Sequence, residues 1–307
     1  MTEQSSAIAQ ATLVISTRGG ISWGLVGVTA FSFTVPFTRI AVGGLSPLFI
    51  GSGRAVVAAV LATAALGLTR QHLPNARQRA RLAVVAAGVV VGFPLLTSFA
   101  LTTAPASHGA VVIGLLPAAT AVAAVVRTKE HPAPSFWLFA GLGALAAIAF
   151  ASLQNGGLGE LHESDLLLFA AVMAAAIGYA EGGLLARELG AWQTVSWALV
   201  LASPLMILLT TVSVVQHPPA ATPAEWLVFA YLGVVSMFLG FFAWYRGLAI
   251  GPMAQVSQVQ LVQPVMTIAW AGLILHEPIG WPTLLGGLAV IACAALAVRT
   301  RLTRKDA

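Results

Sequence analysis

Long apolar runs alternate with short polar links along most of the chain. An α-helix needs about 20 apolar residues to cross a bilayer. Ten runs come close to that length, so the pattern predicts ten membrane spans. Three links are long enough to form loops, at 69–81, 154–165 and 216–225. The predicted spans, numbered 1 to 10, lie at about 19–40, 45–68, 82–103, 106–127, 135–153, 166–186, 191–215, 226–246, 252–275 and 281–298.

Two of the spans repeat the same sequence landmarks. The stretches 101–130 and 248–277 share five landmark residues, and the two members of each pair are 147 residues apart in a chain of 307. A repeat of this size indicates two similar halves. The matched pairs are Leu101/Leu248, Pro105/Pro252, Pro117/Pro264, Thr120/Thr267 and Glu130/Glu277.

The repeat also predicts the domain organisation. We expect a cytoplasmic N-terminal segment at 1–18, a first five-helix repeat at 19–153, an external linker at 154–165, a second five-helix repeat at 166–298 and a basic cytoplasmic tail at 299–307. Spans 4 and 9 are an odd number of spans apart, so the two copies cross the membrane in opposite directions. The expected fold is an all-α membrane protein with ten transmembrane helices, arranged as two inverted five-helix repeats around a central cavity. Many secondary transporters are built in this way.

Composition and charge narrow the class of protein. The chain is 58% hydrophobic and 8% charged, whereas soluble domains carry about 25% charged residues. A water-soluble protein is therefore excluded. The net charge of +5 does not indicate nucleic-acid binding, because the basic residues occur singly or in short groups between apolar runs. Of the 15 Lys and Arg residues, 13 fall on the side that carries both termini, which predicts cytoplasmic termini for a multi-pass protein of the inner membrane.

The sequence lacks the signatures of built-in nucleotide hydrolysis and of a metal site. The motifs GxxxxGK[ST] and HExxH are absent, and Cys293 is the single cysteine. We therefore expect no catalytic residue, no metal and no cofactor.

Hydrophilic side chains inside the spans are the candidate solute contacts, because polar groups are costly toward lipid. Glu181 lies well inside span 6, where it could bind an amino group or carry a coupling proton; a paired structural acid is the alternative. Gln255, Gln258 and Gln263 give span 9 a strip of amide donors and acceptors. We expect these glutamines and Glu181 to line one shared cavity, with hydrogen bonding between helices as the alternative. Further candidate contacts are Tyr179, Ser98, Trp244 and Tyr245.

Several other residues are candidates for gating. Pro117 and Pro264 lie near the middle of spans 4 and 9, where a proline removes a helix hydrogen bond. They predict matched bends beside the cavity, with a kink absorbed by packing as the alternative. His108 could respond to external pH, or bond to a neighbouring backbone group. Arg54 is expected to snorkel to the interface or to hold the end of a neighbouring helix, and Glu277 to be held by local donors in a loop.

Taken together, these landmarks resemble the drug/metabolite transporter superfamily, in particular its EamA-type ten-helix exporters. The resemblance implies two EamA-like repeats and a solute cavity lined mostly by spans 1, 3, 4, 6, 8 and 9. Spans 5 and 10 would form a scaffold or a dimer contact. The motifs that carry the resemblance are Trp23-Gly24, Pro47 with Arg54, and the run Ala106-Ser107…Pro117…Glu130, which recurs as Ala254…Ser257…Pro264…Glu277.

The sequence thus predicts a secondary transporter that exports small metabolites, amino acids or related amphipathic solutes first among them, by alternating access. Its partners would be the solute, a coupling proton and the lipid bilayer, with no nucleic acid. Drugs or sugar derivatives remain an alternative class of substrate. A membrane-embedded ligand-binding or structural protein without transport is the alternative function, and the chain could act as a monomer or a homodimer.

Overall fold

The structure, a computed structural model, describes residues 17–129, 133–154, 162–250 and 259–303. These residues are helical apart from short turns and links, and they contain no strand. Nine of the helical segments that they form are long and apolar enough to cross a membrane. A tenth apolar helix, Val259–Leu275, is the described part of span 9. The ten-helix prediction is confirmed.

Five spans are continuous helices and five consist of shorter pieces. Spans 2, 5, 6, 7 and 10 are Pro47–Leu68, Pro134–Gln154, Glu163–Leu189, Ala191–Gln216 and Trp281–Thr303. Span 1 is Thr17–Ser32 and Thr34–Ala41, and span 4 is Ala106–Ile113 and Leu116–Thr128. Span 3 joins Ala76–Val85, a π-helical segment Ala86–Gly92 and Phe93–Ala100, and span 8 joins Pro223–Tyr231, a π-helical segment Leu232–Leu239 and Gly240–Ile250. Span 9 is a 3₁₀ turn, Val259–Val262, followed by Gln263–Leu275.

Polar caps fix where several spans begin. The Ser46 hydroxyl accepts a hydrogen bond from the Phe49 N–H at 3.1 Å, and Pro47 fills the first helical position, where its missing N–H costs nothing. Spans 3 and 8 begin with reciprocal side-chain and backbone bonds, Asn75 with Gln78 and Thr222 with Glu225. These caps satisfy N–H groups that would otherwise have no partner in the helix.

The helices of the two halves are interleaved, and each span packs on a span of the other half. Span 2 lies along span 7, span 5 along span 10, span 1 along span 8, span 3 along span 6, and span 4 crosses span 9. In each pair one member comes from each half. The repeat exchanges the pairs 1–8 and 3–6 and maps the other three onto themselves. The arrangement is that of two inverted five-helix repeats.

Glycines let spans 3 and 6 approach closely. A Cβ on Gly88 would lie 2.3 Å from the Ala174 carbonyl oxygen, and a Cβ on Gly178 would lie 2.7 Å from Cγ2 of Val89. No side chain fits at either position without displacing the facing helix, so the contact requires glycine on both sides.

The outer surface of the helix bundle is apolar. Large side chains that face outward include Val60, Leu208 and Leu288, which are 64%, 59% and 67% exposed. Such a surface is unfavourable in water and suits the hydrocarbon core of a bilayer. The chain is a multi-pass membrane protein.

Candidate transport site

A small central cavity lies where the two halves meet. Its volume is about 30 Å³, which is room for water but not for a metabolite. Spans 1, 3, 4, 6, 8 and 9 all contribute to its wall, as the resemblance implied, and span 2 adds one residue, Arg54. The lining residues are Phe31, Thr34, Val35, Arg54, Val89, Phe93, Pro94, Leu116, Ala175, Tyr179, Ser236, Met237, Phe241 and Gln263.

The π-helical segments of spans 3 and 8 supply part of this wall. Val89 comes from the first segment, and Ser236 and Met237 come from the second. The Ser236 hydroxyl lies 2.7 Å from the Thr34 hydroxyl of span 1, and both residues are buried. A π-helical turn shifts the side chains that follow it to a new face and often occurs at functional sites. The two segments therefore supply cavity-lining side chains from equivalent spans, a valine from span 3 and a serine and a methionine from span 8.

The matched prolines meet beside the central cavity. Pro117 and Pro264 line a second cavity of about 10 Å³ together with Gln260 and Gln263. Each proline sits in the first turn of the second helix of its span, where it needs no N–H partner. The helix breaks just before each proline, so spans 4 and 9 cross at their breaks. The prediction that the prolines lie beside the cavity agrees with this placement, and their role in gating stays a prediction.

Arg54 does not snorkel to the surface. It is 1% exposed, and its guanidinium lies in the wall of the central cavity. Its Nη2 donates to the Thr97 hydroxyl at 3.4 Å, which is a long contact, and its Nε has no hydrogen-bond partner among the described residues. The prediction that Arg54 snorkels is wrong, because the side chain lies between spans 2 and 3, away from the lipid surface; its contact with Thr97, in the last turn of span 3, agrees with the alternative of a tie to a neighbouring helix end.

Glu181 lies in a cluster of charged side chains on the terminal side, by which we mean the side where span 1 starts and span 10 ends. Its carboxylate accepts hydrogen bonds from Arg81 of span 3 and from Arg127 of span 4. Arg81 also pairs with Glu188. The cluster therefore ties spans 3 and 4 of the first half to span 6 of the second half. Glu181 faces an apolar groove of about 830 Å³ between spans 3 to 6, and it does not line the central cavity. The expectation of one cavity shared with Gln263 is wrong on this point.

The far side, opposite the termini, has a different tie between the halves. The Glu277 carboxylate at the end of span 9 accepts hydrogen bonds from the N–H groups of Ala106, at 2.7 Å, and Ser107, at 2.8 Å. These groups open the first helix of span 4, so the acid caps that helix. The donors lie in the other half of the chain, and the expectation of local donors in a loop is wrong.

His108 is also paired on the far side. Its Nε2 lies 2.6 Å from a carboxylate oxygen of Asp165 at the start of span 6, and both residues are buried. The alternative of a bond to neighbouring backbone is not what the structure shows, since the observed partner is a side chain of the second half. A role for His108 in sensing pH stays a prediction.

The remaining candidate residues are divided between the cavity and the helix contacts around it. Gln263 and Tyr179 line the central cavity. The Ser98 hydroxyl is buried and donates to the Pro94 carbonyl of its own helix at 2.7 Å. Trp244 packs on Gly27, and the Tyr245 hydroxyl faces Gly182. Gln255 and Gln258 lie outside the described residues. Contact of any of these side chains with solute stays a prediction.

Sequence reasoning did not identify four residues of these sites: Arg54, Arg81, Arg127 and Asp165. The position of Arg54, two turns into span 2, favours an interface residue. Arg81, Arg127 and Asp165 lie at the ends of apolar runs, where charged residues usually belong to loops. The signal in the sequence was the side of the membrane on which each residue lies. Arg127 is on the terminal side, as Glu181 is, and Asp165 is on the far side, as His108 is. Within the described residues, no group of three His, Cys, Asp or Glu side chains could hold a metal ion.

Comparison with known proteins gives the family. The model of the EamA-like transporter family matches residues 18–152 and 163–299, one match for each half. An uncharacterised transporter of Bacillus subtilis (strain 168), YdeK, is 45% identical over 284 residues, which cover 92% of this chain and 98% of that protein. A protein crystal structure that is 18% identical superposes with a TM-score of 0.63, over 95% of this chain and 100% of the other, and it supports the fold alone. The chain belongs to the EamA-like transporter family.

Proposed function

We propose that this transporter exports small amphipathic metabolites across the inner membrane by alternating access, with amino acids and related solutes as the first candidates. The central cavity between the inverted halves carries the proposal, because that is where secondary transporters of this plan bind solute. Its wall combines the aromatic faces of Phe31, Tyr179 and Phe241 with hydroxyl, amide and guanidinium groups. Such a wall suits a solute with an apolar body and a polar end.

Alternating access requires closures at both ends of the cavity. Glu181 with Arg81 and Arg127 joins the halves on the terminal side, and Glu277 joins them on the far side through Ala106 and Ser107. The cavity of about 30 Å³ must widen before a metabolite can enter, so one of these ties opens while the other stays closed.

The orientation follows from the charge distribution. The terminal side carries 13 of the 15 Lys and Arg residues, and basic loops stay in the cytoplasm. The Glu181 cluster would then close the cytoplasmic entrance, and Glu277 would close the external exit.

Flux in proteoliposomes tests the proposal. The purified protein is reconstituted, and the vesicles are loaded with labelled amino acids, drugs and sugar derivatives in separate samples. We expect saturable efflux for one or more amino acids. Specific binding without flux would support the alternative of a ligand-binding membrane protein and would overturn the proposal.

Proton coupling is tested in the same vesicles with Glu181→Gln. If Glu181 carries a coupling proton, the flux through the Glu181→Gln variant no longer depends on pH. An unchanged pH profile would rule that role out and would leave Glu181 as a residue of the closure.

A further inference from the structure

The central cavity contains a buried cation that has no counter-ion among the described residues. Arg54 is 1% exposed, and within the part of the chain that the structure describes its Nε has no hydrogen-bond partner. The bond that it makes there, to the Thr97 hydroxyl, is long at 3.4 Å. That hydroxyl already donates to the Phe93 carbonyl at 2.6 Å. A guanidinium has five N–H donors, and one of those of Arg54 has a hydrogen bond to the described residues.

The carboxylates of the described residues do not reach this guanidinium. Glu181 is bonded to two arginines on the terminal side, and Asp165 and Glu277 have partners on the far side. Glu188 pairs with Arg81, and Glu225 caps its own helix. None of the ion pairs within the described ranges includes Arg54. An unpaired charge is strongly unfavourable in a protein interior. A buried guanidinium of this kind is therefore expected to have a function that offsets its cost in stability.

The geometry around Arg54 fits a ligand rather than a structural partner. Arg54 lines the cavity together with the aromatic residues Phe31, Tyr179 and Phe241. The hydroxyls of Thr34 and Ser236 lie on the same wall, 2.7 Å apart. A guanidinium binds a carboxylate through two parallel N–H···O bonds, which is its strongest and most directional contact.

We propose that Arg54 is the solute-binding residue of the transporter and that it pairs with a carboxylate carried by the solute on an apolar body. The inference rests on the proposed function and narrows its substrate class. The described wall of the cavity holds a cation and no acid, so a solute whose only charge is positive is repelled. A neutral solute leaves the buried charge of Arg54 unmatched. Zwitterionic amino acids and simple monocarboxylates both satisfy it.

A matched set of three solutes tests the charge requirement. Phenylalanine carries a carboxylate and an ammonium, 3-phenylpropionate carries the carboxylate alone, and phenylalaninamide carries the ammonium alone. The same three forms are prepared for leucine and alanine, so that the size of the apolar body is varied independently. Binding to the purified protein in nanodiscs is measured as a shift of the unfolding temperature and by intrinsic tryptophan fluorescence. We expect carboxylate-bearing members to bind and the amides to bind at least tenfold more weakly.

Two substitutions link this preference to Arg54. In Arg54→Gln we expect the affinity for carboxylates to fall at least tenfold, to the level of the amides. In Arg54→Lys we expect partial retention, since an ammonium keeps the charge but loses the two parallel bonds. Arg54→Gln also removes an unmatched buried charge, so we expect its unfolding temperature without ligand to be equal to or above that of the wild type. Arg39→Gln is the control, because Arg39 donates to the Leu101 and Thr102 carbonyls outside the cavity.

The outcomes separate this inference from the proposed function. Amides that bind as well as the free acids, a set in which no carboxylate binds, or an Arg54→Gln protein that keeps its carboxylate affinity would each overturn the role of Arg54. Flux that persists in those cases would leave the transporter proposal standing. Carboxylate binding that depends on Arg54 without any flux would support the site and overturn export.

Discussion

The carboxylate of Glu277, at the end of span 9, lies 2.7 Å from the backbone nitrogen of Ala106, at the start of span 4. The end of one span can meet the start of another only if the two run antiparallel. Spans 4 and 9 are the matched copies of the repeat, so this hydrogen bond demonstrates the inversion of the halves. It also joins them on the far side, where one end of the cavity has to close.

Glu277→Gln should weaken the closure on the far side. A carboxylate at a helix N-terminus is worth about 1 kcal/mol, or about fivefold in an equilibrium, and an amide keeps the shape but not the charge. We expect the open form on that side to become about fivefold more populated. Cys293 is the single cysteine, so the reporter is Ser236→Cys in a Cys293→Ser background, and the measurement is its rate of maleimide labelling from the far side.

The matched control for this substitution is Glu163→Gln. Glu163 lies in the first turn of span 6, on the same side, and its side chain is exposed. In the Glu163→Gln variant, the labelling rate of the same reporter should stay at the wild-type value. Equal labelling of the Glu277 and Glu163 variants would show that the cap does not hold the halves together.

Glu181→Gln should open the opposite side. The substitution leaves Arg81 and Arg127 without their shared acid, and two cations then face each other across spans 3 and 4. We expect faster labelling of the same reporter from the terminal side in inside-out vesicles and slower labelling from the far side. Glu188→Gln is the control, since Glu188 pairs with Arg81 alone and its side chain is 48% exposed. An exposed pair of this kind is worth about 0.2–1 kcal/mol, so its effect should be smaller. Faster labelling in Glu188→Gln than in Glu181→Gln would contradict the assignment.

Pro117→Ala and Pro264→Ala should slow transport without unfolding the protein. Alanine allows spans 4 and 9 to form continuous helices through their breaks, which would stiffen the point where the halves cross. The measurement is the maximal rate of flux in proteoliposomes, at matched amounts of reconstituted protein. Pro204→Ala is the control, because Pro204 lies inside the helix of span 7 on an exposed face. An unchanged rate in the double variant Pro117→Ala/Pro264→Ala would remove the breaks from the mechanism.

Gly88→Ala should destabilise the contact between spans 3 and 6. Its Cβ would lie 2.3 Å from the Ala174 carbonyl oxygen, so the helices must move apart, at a cost of about 1–3 kcal/mol. The measurement is the unfolding temperature in detergent. Gly183→Ala, in span 6, has no atom within 4 Å of the new Cβ and should be neutral or slightly stabilising. A Gly88→Ala protein as stable as Gly183→Ala would mean that the close approach does not contribute to stability.

The sequence alone was sufficient for the number of spans, the repeat and the inversion. Those features depend on the length of apolar runs, on landmarks such as Pro117 and Pro264, and on the odd number of spans between them. Each is a local or counting property, because the bilayer fixes the length of a span and the direction of the next one. The spans that line the cavity were implied by the family resemblance and not by these counts.

Only the tertiary structure decided which polar side chains share a site. Glu181 lies 100 positions from Arg81 and 54 from Arg127, and the rotation of each helix about its own axis determines whether such groups meet. The same applies to Arg54, because its position along span 2 is compatible with either the lipid interface or the protein interior. Its place in the cavity depends on how spans 2 and 3 pack, and packing between halves is a property of the assembled bundle rather than of any one span.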